Sequence, residues 1–146
     1  MVGTIWSMAT PTDVTGSTVT LADASPAGKT YTLNRAAGVT ATLPAATGSG
    51  AVYRLYVGTT VTSNNIIVQV ASSSDVIQGT LGVSTDAAGV VIPTAATSDT
   101  ITMNGSTTGG LVGSNLVLQD VASGVWSVHG GLVSTGTEAT PFSAAV

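Results

Sequence analysis

Charged side chains make up only 7% of this chain of 146 residues, against roughly a quarter in an ordinary soluble domain. Its polarity comes instead from Thr, Ser, Asn and Gly. Rows of Lys and Glu blunt sheet edges and hold neighbours apart, whereas a sheet face clothed in short hydroxyl side chains can be packed against. The surface is therefore expected to be covered by copies of the chain or by a larger body. The plainer alternative is a Thr-rich solvent face on a secreted monomer.

The apolar residues alternate with polar ones at the period of a strand. Thr18-Val19-Thr20-Leu21, Thr30-Tyr31-Thr32-Leu33 and Val39-Thr40-Ala41-Thr42-Leu43 repeat one phrase, a half-buried strand rich in β-branched residues. Ser25-Pro26-Ala27-Gly28 and Asn34-Arg35-Ala36-Ala37-Gly38 separate them with the chemistry of tight reversals. In Ala51–Val57, Tyr53, Leu55 and Val57 share one face, and Val52, Arg54 and Tyr56 the other. Further strands are expected at Asn65–Val70, Asp75–Gly79 and Thr100–Met103, the last followed by the turn pair Asn104-Gly105. Leu116–Val121 and Val125–His129 flank Ala122-Ser123-Gly124 as a hairpin, with Trp126 filling the core. No apolar stripe of helical period persists. The pattern predicts an all-β fold, a small antiparallel β-barrel or jelly-roll-like sandwich.

The β domain is expected over residues 17–133, between an N-terminal arm (1–16) and a C-terminal tail (134–146). The arm carries Ile5, Trp6 and Met8 before Pro11, and an aromatic that its own domain does not bury is a candidate anchor on a partner. A frayed end or a strand added to the sheet edge explains either terminus as well; for the tail, that explanation is preferred. Ile5, Trp6 and Met8 are the candidate partner-binding residues.

Composition excludes much chemistry. With no Cys there are no disulfides, thiolate metal sites or thiol nucleophiles. Lys29, Arg35 and Arg54 are the only cations of a chain of net charge −4, too few for a phosphate-neutralising stripe, so nucleic-acid binding is not expected. No apolar run approaches the ~20 residues of a membrane span, and the N-terminus lacks the pattern of a signal peptide; a soluble protein without membrane contact is expected. His129, the only His, has no Gly-x-Ser-x-Gly partner and reads as a partly buried structural residue. Asp13, Asp23, Asp75, Asp86, Asp99, Asp120 and Glu138 are scattered and suit turn-capping better than acid–base catalysis. There is no Asp-x-Asp calcium element, and Gly105–Gly110 lacks the Lys of a phosphate loop, leaving a flexible hairpin tip. No enzyme activity, cofactor or metal is expected.

The order of the phrases resembles a known family. Thr18–Leu21, the run Ala27–Pro44, the Tyr53–Val57 strand, Asp75–Gly79 and Gly124–Gly130 together are similar to the small β domain of capsid decoration (cement) proteins and head fibres of tailed bacteriophages. The resemblance covers about Thr18 to Gly130 and rests on structural phrases without a catalytic signature. It implies a homotrimer fixed on the outer capsid surface of the virion, bridging major capsid proteins against the pressure of packaged DNA. A receptor- or carbohydrate-binding head or tail fibre tip is the alternative, and it would show exposed aromatics clustered on loops. Aromatics are only 4% of the chain.

Overall fold

The computed structural model describes residues 10–146, so Ile5, Trp6 and Met8 lie outside the described residues. Those described form β-strands and no helix: β1 (Thr12–Val14), β2 (Thr18–Thr20), β3 (Lys29–Leu33), β4 (Val39–Thr42), β5 (Val52–Val57), β6 (Ile66–Gln69), β7 (Val76–Ser84), β8 (Gly89–Pro93), β9 (Thr100–Met103), β10 (Asn115–Ala122), β11 (Val125–Val133) and β12 (Phe142–Ser143). They build two packed sheets, one of seven strands in the order β1-β3-β5-β10-β11-β7-β8 and one of five in the order β12-β9-β6-β4-β2. The expected all-β sandwich is present.

Its sheets are mixed rather than wholly antiparallel. From β1 to β7 the chain alternates between layers, and each of the first four strands pairs with the next but one and runs parallel to it: β1 with β3, β3 with β5, β2 with β4, β4 with β6. The turn signals were sound but their direction was not legible. Gly28 donates to the Ser25 carbonyl (2.9 Å) and Gly38 to that of Arg35 (3.2 Å), with φ of +98° and +86°, yet each turn carries the chain into the opposite layer instead of reversing it within one sheet. Period-two alternation is the same in both pairings. The hairpin at Ala122–Gly124 is antiparallel as expected, and a second hairpin, β7–β8, had no clear alternating signal.

The core lies between the layers. Val19, Ala41, Val68, Ile101 and Phe142 stand in register across all five strands of the smaller sheet. Facing them, Tyr31, Leu55 and Leu116 form one inner row and Tyr53, Leu118 and Val128 the next. Trp126 is fully buried, its ring 5.8 Å from that of Tyr53, and its indole N–H donates to the Pro44 carbonyl at 3.2 Å.

Both terminal segments contribute strands. β1 falls within residues 1–16 and pairs with β3 at one edge of the larger sheet. β12 falls within residues 134–146 and adds an edge strand beside β9. The loop after Asn104 is pinned rather than loose: the Asn104 side chain accepts the N–H groups of Ser106 (2.9 Å) and Thr108 (3.1 Å).

Candidate interaction surface

The acids serve the fold, as anchors for loops. Asp120 lies on the inward face of β10, in line with Leu116 and Leu118, where an acid stays charged only if its oxygens are satisfied. The loop between β4 and β5 supplies the donors: the N–H groups of Thr47 (3.0 Å), Gly48 (2.7 Å) and Ser49 (3.0 Å), and the Ser49 hydroxyl (2.7 Å). Burial pushes this carboxyl up, but the Ser49, Thr47 and Gly48 donors outweigh it and hold it down at about 2. Asp75 accepts the neighbouring Ala46 N–H at 2.9 Å.

Asp99 plays the same part at the other end of the chain. It accepts the Thr100 hydroxyl (2.7 Å) and the N–H groups of Ala145 (2.8 Å) and Val146 (3.3 Å). Burial raises its pKa, yet these donors leave it below the ordinary carboxylate value. Turn-capping was the expected role of the acids, but Asp120 sits within a strand, and its donors come from more than 70 positions away.

His129 is exposed on the outer face of β11, not partly buried. It stands across from Val117. Among the described residues no three acidic or His side chains converge as a metal site would require, and no helix is long and apolar enough to cross a membrane.

The outer faces divide by chemistry. On the five-stranded sheet, one row runs Thr20, Thr42, Gln69, Thr100, Ser143 and the next Thr18, Thr40, Ile67, Thr102, all in strand register, Thr100 alone being buried, against the Asp99 carboxylate. Neither row holds a charged side chain, and Thr18 and Thr20 are exposed. A surface cavity of about 300 Å³ opens at its end, where Arg35 and Asn64 join Thr18 and Thr40.

The seven-stranded sheet shows a different surface. One outward row crosses every strand: Asp13, Thr32, Tyr56, Asn115, Gly131, Gly82, Val91. Toward β8 it turns apolar, and β8 is exposed along nearly its whole length, with Val90 at 44% and Val91 at 67% of full exposure. Alternate residues of a strand point to opposite faces, so neither face of β8 is well covered.

No protein-family model, curated protein or solved structure matches this chain. Function must be argued from these surfaces alone. Ile5, Trp6 and Met8 cannot be set against them. The exposed apolar end around β7 and β8 was missed by sequence reasoning.

Proposed function

We propose that this chain is a structural virion protein, a capsid decoration or cement protein that forms a homotrimer on the outer head surface and stabilises the shell by bridging major capsid proteins. The observation that carries this reading is the pair of charge-free, hydroxyl-rich rows on the five-stranded sheet, from Thr18 and Thr20 to Thr102 and Ser143. Such a face can be laid against a protein surface without leaving a buried charge unpaired, the most damaging defect at an interface. An interface of about 1,600 Å² repeated over many lattice sites would resist expansion of the head by burial alone.

The role of the acids supports a passive clamp. Asp75, Asp99 and Asp120 are buried and hold loops, which suits a rigid body more than a reacting cleft. Nucleic acid and membrane have no part in this mechanism. The alternative, a receptor- or carbohydrate-binding fibre tip, finds less support: among the described residues Tyr56 is the exposed aromatic, and it stands on a strand instead of a loop.

Co-sedimentation with purified heads built from the major capsid protein of the same phage tests the proposal. Saturable binding to the outside of the head is expected, together with a higher temperature of head disruption. Heads that neither bind the protein nor gain resistance would contradict it.

A further inference from the structure

The three cations of the chain are held very differently. The Lys29 ammonium lies 5.2 Å from the Tyr31 ring centre and donates to the Ala22 carbonyl at 3.0 Å, and Arg54 donates to the Ala27 carbonyl at 3.2 Å. Arg35 makes one long contact, from Nη1 to the Thr15 carbonyl at 3.5 Å, and its Nε is enclosed without a partner among the described residues. A buried donor left unpaired is uncommon enough in a folded protein to need a reason. The acid on neighbouring β1 does not supply the partner, because the Asp13 carboxylate accepts the Asn34 side-chain amide at 2.7 Å.

Arg35 lines the cavity of about 300 Å³ at the end of the five-stranded sheet and is the charged residue of that lining. Ser17, Thr18 and Thr40 add hydroxyls to the wall and Asn64 an amide. The wall is tied together by its own backbone. The Ala36 carbonyl accepts the N–H groups of Thr62 (2.7 Å) and Ser63 (3.3 Å), and the Ser17 carbonyl accepts that of Thr40 (2.9 Å). The Asn64 amide donates to the Ala37 carbonyl at 3.3 Å. Asn64 and Asn65 both stand at positive φ, +55° and +51°, and they press so closely on Gly38 that a Cβ there would overlap their carbonyl oxygens. A cavity fixed in this way loses little freedom when it is filled.

We infer that this cavity binds one carboxylate through Arg35, and that the carboxylate is an Asp or Glu side chain of the protein on which the five-stranded face is laid. Thr18 and Thr40 belong both to the cavity and to the charge-free outer row, so a body resting on that row also covers Arg35. A cation covered by a neutral surface is a buried charge without a partner, whereas a carboxylate meets the planar guanidinium fork with two parallel hydrogen bonds. A single fork suits a single negative charge, and a cavity at the small end of ligand sites has room for an acidic side chain and its neighbours. The hydroxyl rows supply contact area, and Arg35 supplies the register.

The source of the carboxylate rests on the proposed function, while the site itself does not, and two measurements separate them. In the first, backbone amide NMR signals of the full chain are followed during titration with N-acetylglutamate. Gly38, Thr40 and Asn64 should shift, the neutral N-acetylglutamine should leave them in place, and Arg35→Gln should abolish the response. Arg35→Lys, which keeps the charge and loses the fork, should respond more weakly than wild type. In the second, Arg35→Gln should weaken co-sedimentation with heads by about tenfold or more, with circular dichroism showing a folded chain. Arg54→Gln removes the same charge from the other sheet and should sediment as wild type does. Wild-type signals that ignore N-acetylglutamate, or that move equally with both compounds, would overturn the site. Shifts from glucuronate alone would overturn the protein source in favour of an acidic sugar. An Arg35→Gln protein that binds heads as tightly as wild type would overturn the inference and leave the cement role standing, while carboxylate binding in the cavity without head binding would support the site and overturn the cement role.

Discussion

Gly48 donates its backbone N–H to the Asp120 carboxylate at 2.7 Å, joining positions 72 residues apart. That contact, with those from Thr47 and Ser49, straps the connection between the two sheets onto the end of β10. The Asp120 carboxyl is held at about 2 against an ordinary 3.8. A carboxylate with a lower pKa folded than unfolded stabilises the fold above its unfolded value, and that stability is lost as pH falls through the folded value. Wild-type stability should therefore decline between about pH 4 and pH 2, and Asp99, shifted the same way, adds to the decline. Asp120→Asn keeps one acceptor but sets an amide donor against backbone N–H groups. It should cost about 2 kcal/mol at pH 7 and flatten the acid dependence, measured by urea unfolding at several pH values. An unchanged acid profile would show that the carboxylate is not the anchor.

The indole of Trp126 is fully buried against Tyr53 and donates to the Pro44 carbonyl. Trp126→Phe should cost about 2–3 kcal/mol, because the ring shrinks and a carbonyl loses its donor. Trp126→Ala should cost about 3–5 kcal/mol. Thermal unfolding of the two variants against wild type checks both values and their order.

Gly130 and Gly131 are neighbours with opposite tolerance. Gly130 has φ of +151°, and a Cβ there would overlap the Asn115 carbonyl oxygen, in the backbone of the adjacent strand. Gly130→Ala should lose about 3 kcal/mol or more. Gly131→Ala has open space and should stay within about 0.5 kcal/mol of wild type. Equal losses at both positions would contradict the β10–β11 register.

Deleting residues 1–9 leaves β1 intact from Thr12 while removing Ile5, Trp6 and Met8. The expected result is a folded, self-associating protein that no longer sediments with heads. Undiminished head binding would remove these three residues from the shell contact.

Much of the fold was legible because alternation survives at the positions that matter. Tyr53, Leu55 and Val57 are buried while Arg54 and Tyr56 are exposed, as the period of two requires, and Val52, on the face of Arg54 and Tyr56, is the exception in being buried. The parallel pairing was not legible, since it depends on which layer the turns at Gly28 and Gly38 lead into. β8 escaped notice because Val90, Val91 and Ile92 form an unbroken apolar run ending at Pro93, with no polar partner to mark a face. Asp120 was visible as an acid in line with Leu116 and Leu118, but its meaning lay in the distant Thr47–Ser49 loop. Gly82 and Gly131 meet only through the pairing of β7 with β11, two strands well separated in sequence.

Cryo-electron microscopy of purified heads, incubated with and without the protein, examines whether the charge-free sheet face is covered in the assembly. Added density is predicted in groups of three on the outer surface, with the Thr18, Thr20, Thr40 and Thr42 face turned against the shell. Heads that look the same with and without the protein, or bound subunits that leave this face open to solvent, would contradict it.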